Sequence, residues 1–297
     1  VNELLLSRGI TSIQDAGADN GMEKWNSFKF LKQESLLAPR ITMMIGRLHV
    51  GQFSEQGLVM GSGDDSLRIG AVKFLLTLTT GALHPSIEEI KPEVLRMAKS
   101  GYQTAFHAVE EEAVIAAAQL ISDLQSPILR HRIEHCSEVT PRALAELRRS
   151  KAVVVTNPGF IFHRGGTYLS STPLNLLPHL YPLAALSSEN IKWAAASDAP
   201  VSPPDPLTSV YAAVTRRTDT GKTLNLSQSV SVTNALNAWT EMAAYACHQE
   251  SKIGTLAAGN LADMVVLEQD PNEVMIEGIR DIKTVMTVIG GNVVWES

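Results

Sequence analysis

Arg130-His131-Arg132-Ile133-Glu134-His135-Cys136 places two imidazoles and a carboxylate side by side, and its conformation decides the fold. The stretch follows Pro127 and lies between two segments of helical pattern. As a strand over 127–136 it alternates, so His131, Ile133 and His135 share one face while Arg132 and Glu134 share the other. On that reading Glu134 pairs with an arginine or lysine of a covering helix, and His131 is a structural residue deeper in the sheet. His135 ends the strand, where parallel barrels carry their chemistry. The same letters match H-x-x-E-H, a zinc-protease pattern that needs a helix so that both histidines face one ion. The space between the flanking helices is too short for that, and the alternation favours a strand.

Outward from this stretch, strands are expected over 10–15, 40–46, 69–76, 102–107, 152–157 and 191–197. Helices are expected over 22–35, 85–100, 110–124, 140–150 and 231–247, with Thr140 capping the fourth and Pro141 at its first position. Residues 158–178 read as a long loop rich in aromatic, glycine and histidine residues. Strands alternating with helices at this spacing imply a parallel sheet with right-handed crossovers. The fold class is therefore α/β, a (β/α)8 TIM barrel with its first strand missing from this chain. Residues 1–9 read as the tail of a helix stopped by Gly9, and the first strand is expected upstream of Val1. A barrel short of one strand exposes two edges, which invites aggregation or pairing with another chain, so a homo-oligomer is one state open to it. Beyond residue 250 the pattern changes to short strands over 262–267, 284–289 and 292–295, the last two joined by Gly290-Gly291. We expect the barrel in 1–250 and part of a small β-sandwich domain in 251–297.

The composition narrows the function. A net charge of −6 without a basic run argues against a nucleic-acid partner. No apolar stretch is long enough to span a membrane. The two cysteines, Cys136 and Cys247, form no disulfide framework, which favours a cytoplasmic setting.

Lys73, His107, His135 and Asp198 all fall at or near predicted strand ends. Such distant residues converge only if the strands curl into a barrel. Two imidazoles and a carboxylate are ligands for zinc-like divalent ions, but the set is short of ligands. A lysine ammonium repels a cation unless burial suppresses its charge or the amine is converted to an anion.

The motifs Val72-Lys73-Phe74, Gly101-Tyr102-Gln103 with His107-Ala108, Arg130 to His135, Ala196-Ser197-Asp198-Ala199-Pro200 and Gly254 to Asp263 run in the order of a known family. With them the chain resembles the amidohydrolase superfamily, in its YtcJ-like branch, over nearly its whole length. The resemblance implies a carboxylated Lys73 bridging one or two divalent metal ions, zinc by ligand type. It implies that His107 and His135 bind one ion, and that Asp198 binds the other and takes the proton of the bridging water. It implies hydrolysis of a non-peptide carbon–nitrogen bond in a small molecule: an amide, formamide or cyclic amide, or a deamination. Substrate contacts are expected from His84, His163, Arg164 and Tyr168 on the loops after the strands. The family's first strand carries a His-x-His pair, and no such pair occurs in this chain. A relative that keeps the barrel but serves as a non-catalytic scaffold is the rival reading.

Overall fold

The computed structural model describes residues 1–79 and 81–297. Its main sheet is built from β1 (Ser12–Asp15), β2 (Arg40–Gly46), β3 (Leu67–Leu75), β6 (Thr104–Ala108), β7 (Arg132–His135), β8 (Val153–Thr156) and β9 (Trp193–Ala195). Between them, β4 (Thr77–Thr79) and β5 (Ala82–His84) form a small antiparallel hairpin. The seven strands are parallel and lie in chain order from β1 to β9, the two edges. This is the incomplete (β/α)8 barrel expected from the alternation.

The sheet curls. Arg132 at the start of β7 donates a hydrogen bond to Gln14 Oε1 on β1, four places away in the strand order. In a flat sheet those strands would be about 19 Å apart. The helix Glu241–Ala246 closes the floor, its last carbonyls turned to the strand starts. Gln14 Nε2 donates to Ala243 O at 3.0 Å, Gln103 Nε2 to Ala246 O at 3.0 Å and Arg132 Nη1 to Ala246 O at 3.3 Å. A guanidinium suits a helix C-terminus, where carbonyls lack intrahelical partners.

The apolar core lies between this sheet and its helices, with Ile45, Val72, Phe74, Phe106 and Ile133 fully buried on the helix-facing side. The helix Glu111–Leu124 turns Val114, Ala117, Ala118 and Ile121 toward it. The helix Pro141–Ser150 begins at the expected cap, where the Thr140 hydroxyl accepts from Ala143 N–H.

Three expectations are corrected. Residues 127–136 are not one strand. Pro127–Leu129 make a 3-10 turn, Arg130 is left-handed at φ 51°, and the strand starts at Arg132. Residues 158–178 are not simply a loop, because Gly159–Ser171 is a helix. Its Gly165 and Gly166 lower helix propensity, which masked it, but Phe160 and Ile161 are buried in a satellite cluster with Leu180 and Tyr181. Gly165 is required there: a Cβ would stand 2.5 Å from Thr218 Cγ2. The expected helix over 231–247 is two, Val232–Trp239 and Glu241–Ala246, broken at Thr240 with φ −115° and ψ −92°.

The carboxyl-terminal strands β10 (Met264–Leu267), β11 (Thr284–Ile289) and β12 (Asn292–Glu296) form an antiparallel sheet. Gly290 and Gly291, at φ 60° and 79°, make the turn between the last two. Arg40 fastens this sheet to β2, its guanidinium gripping both Asp263 carboxylate oxygens at 2.6 and 2.9 Å. Among the described residues no helix is long and apolar enough to cross a membrane.

Candidate functional site

Parallel register sets the depth of each polar side chain. Lys73 lies level with Ala105, His107 with Glu134, and Ala108 with His135. Lys73 is thus one pleat deeper than His107, and His135 is at the rim. Lys73 is 4% exposed, whereas His107, His135 and Asp198 are half-buried at the strand ends. The His107 and His135 rings meet edge to face with centroids 4.6 Å apart.

The backbone bends where the site forms. His135, Cys136 and Asp198 have φ of 68°, 50° and 60°, a left-handed conformation that side chains adopt at a cost. This bend explains a failure of simple alternation. His131 and Ile133 keep to the helix-facing side, where His131 bonds Thr104 and Ser126. His135, at the bend, instead joins the group of His107, Lys73, Glu134 and Asp198.

Arg132 and Glu134 form a buried ion pair inside the sheet. Arg132 Nε donates to Glu134 Oε1 at 2.7 Å and Nη2 to Oε2 at 3.0 Å. Glu134 therefore pairs with its own strand rather than with a covering helix, as the alternation had suggested. Burial pushes the Glu134 carboxyl upward, but Arg132 and Lys73 outweigh it and hold it below the usual range. Burial pulls the Lys73 ammonium down, opposed by Glu134 and Asp198. His107 falls to about 4, through burial first and then through His135 and Lys73. His135 is also lowered by burial, with Asp198 opposing.

Asn157, at the end of β8 and 2% exposed, is a member that sequence reading missed. Its Oδ1 is 2.9 Å from His135 Nδ1, and its Nδ2 donates to Ala196 O at 3.1 Å. Its position at the end of a strand, next to those of His107 and His135, was the available signal.

The expected substrate contacts lie on two elements. His84 is exposed on β5, and its carbonyl accepts from Thr77. His163, Arg164 and Tyr168 lie on the helix Gly159–Ser171 that follows β8. His163 packs on Phe162, Arg164 lies over the Phe160 ring at 5.1 Å, and the Tyr168 hydroxyl bonds Tyr181 at 2.9 Å.

The expectation of a bound divalent metal, zinc by ligand type, with a carboxylated Lys73, is overturned. Among the described residues no group of three or more His, Cys, Asp or Glu is arranged to hold an ion. The donor set explains why. Only two imidazoles meet, Asn157 occupies one nitrogen of His135, and Glu134 gives both oxygens to Arg132. A protein zinc site takes three or four ligands.

Comparison with known proteins adds the lineage. The profile described as "Amidohydrolase family" matches residues 3–295. The chain belongs to the amidohydrolase family. A Bacillus subtilis (strain 168) relative named only as an amidohydrolase, YtcJ, is 25% identical over 223 residues, 73% of this chain and 42% of that one. The N-substituted formamide deformylase of Arthrobacter pascens is 24% identical over 220 residues, 71% of this chain and 40% of that one. The fold is shared with an uncharacterized metal-dependent hydrolase from Pyrococcus horikoshii OT3, at TM-score 0.80 and 22% identity over 93% of this chain and 59% of that one. The chain spans about half the length of the curated relatives it matches.

Proposed function

We propose that the chain carries the proton-handling part of a hydrolase that cleaves a non-peptide carbon–nitrogen bond in a small molecule. The observation that supports this is the edge-to-face pair of His107 and His135 at adjacent strand ends, with Lys73 beneath and Asp198 beside. Membership in a family of enzymes adds to it.

A water at the mouth donates one hydrogen to a His135 nitrogen and the other to the Asp198 carboxylate. Asp198 accepts that proton as the water attacks the carbonyl carbon, then returns it to the leaving nitrogen. Lys73, while protonated, offsets the negative charge that grows on the carbonyl oxygen. His84, His163, Arg164 and Tyr168 are proposed to contact the substrate. The formamide activity of the Arthrobacter relative makes N-substituted formamides the first substrates to test.

A second reading, a non-catalytic amidohydrolase-like scaffold, is favoured by the lack of a metal-holding group among the described residues. Release of amine from a panel of formamides, acyl amides and cyclic amides separates the two. The hydrolase reading expects turnover that falls on the order of 10²-fold or more in Asp198→Asn. No turnover across the panel, or equal turnover in the variant, overturns it.

A further inference from the structure

His135 has two ring nitrogens, and its use in proton handling depends on which one holds the hydrogen. The surrounding hydrogen bonds decide this. Asn157 is almost fully buried, so each end of its amide needs a partner. One end is 3.1 Å from Ala196 O, which can only accept, so that end is the NH2 group. Ala196 is itself fixed, its N–H donating to Thr156 O at 2.8 Å as an extension of the ladder between β8 and β9. The other end, 2.9 Å from His135 Nδ1, is therefore the oxygen. An amide oxygen only accepts, so Nδ1 must carry the proton.

We propose that Asn157 is a positioning residue that fixes neutral His135 as its Nδ1–H tautomer and leaves Nε2 as the one acceptor of the ring. The consequence for turnover rests on the reading of His135 as a water-binding group given above, but the tautomer itself does not.

The residue just before β7 supplies an internal contrast. Thr104 N–H donates to His131 Nδ1 at 3.0 Å, so Nδ1 of His131 must hold a lone pair. Its Nε2 is 2.9 Å from the Ser126 hydroxyl and carries the hydrogen. His131, just before β7, and His135, at its end, are thus opposite tautomers. The difference follows from their neighbours: a backbone donor beside His131 and a side-chain acceptor beside His135.

Imidazole nitrogen shifts in 15N-labelled protein, correlated to the ring protons, read both tautomers in one spectrum. In the unmodified chain His135 should show a protonated Nδ1 and a bare Nε2, with His131 reversed. Asn157→Asp keeps an acceptor at the same place and should keep the pattern. Asn157→Leu removes the acceptor and should move His135 toward the Nε2–H form while His131 stays as it was. A bare Nδ1 on His135 in the unmodified protein overturns the proposal without any variant, as does a ring protonated at both nitrogens near neutral pH. An Asn157→Leu protein that folds with an unaltered His135 pattern also overturns it. On a turned-over substrate, Asn157→Leu should lower kcat on the order of 10²-fold with little change in KM. If the tautomers are as stated and no substrate is turned over, the hydrolase reading fails and the positioning role stands.

Discussion

His107 and His135 stand edge to face on neighbouring parallel strands, ring centroids 4.6 Å apart and planes at 71°. His135 makes it harder for His107 to gain a proton, because two imidazolium rings at that distance repel. Burial is the larger cause for His107, and His135 comes second. His107 should therefore titrate near 4 rather than at the ordinary 6.5. In His135→Gln its midpoint should rise yet stay below 6.5, since the burial remains. Ring-proton NMR over pH 3–8 reads both midpoints. A His107 midpoint that is unmoved or lower in the variant would show that the two rings do not interact.

The Arg132–Glu134 pair sits inside the curled sheet, with side chains 2% and 8% exposed. Removing one partner strands the other charge without solvent. Glu134→Gln should cost about 3–5 kcal/mol in urea unfolding. Replacing both, as Arg132→Met with Glu134→Leu, should recover most of that loss, because no buried charge is left. A double variant as unstable as the single one would mean that the Arg132 bonds to Gln14 and the helix floor matter more than the pair itself.

The order of strands was legible because period-two runs alternate with helical ones, and β2 and β11 fall where the pattern placed them. Lys73, His107, His135 and Asp198 could be named because each falls at or near a strand end, a position visible from spacing, and on a motif of the resembled family. The direction of His135 could not be read, since it depends on a left-handed turn that no alternation encodes. The partner of Glu134 was missed for a related reason. A strand's own i, i+2 neighbours share a face, and Arg132 reaches Glu134 along it. The helix Gly159–Ser171 was hidden by Gly165 and Gly166; the use of Gly165 is tertiary, to let the helix approach Thr218 closely.

That approach is testable. In Gly165→Ala the new methyl would lie 2.5 Å from Thr218 Cγ2, inside contact distance. The change raises helix propensity, so a local view predicts stabilisation. The packing predicts the reverse, a loss of about 1–3 kcal/mol from overpacking. Thr218→Ser removes that Cγ2 and keeps the hydroxyl, so it should restore part of the loss when combined with Gly165→Ala. Thermal unfolding of the two single variants and the double measures the coupling. A stabilised Gly165→Ala would mean that the helix shifts away at no cost.

His131 links the sheet to pH. Its Nδ1 accepts from the Thr104 amide at 3.0 Å, and a protonated ring would lose that bond and bury a charge. Burial, with His248 nearby, lowers its proton affinity to about 4 from the ordinary 6.5. The unfolded chain therefore binds this proton more tightly than the folded one, and acid favours unfolding. The stability tied to neutral His131 is whole above pH 6.5, declines below it, and is lost as pH falls through about 4. Its size is on the order of 3 kcal/mol. His131→Asn keeps an acceptor for Thr104 but cannot become charged. It should be less stable near neutrality, having lost the Ser126 contact, and show a flatter decline between pH 6.5 and 4. Urea unfolding at half-unit pH steps measures both curves. Parallel curves through that window would place the acid sensitivity on other groups.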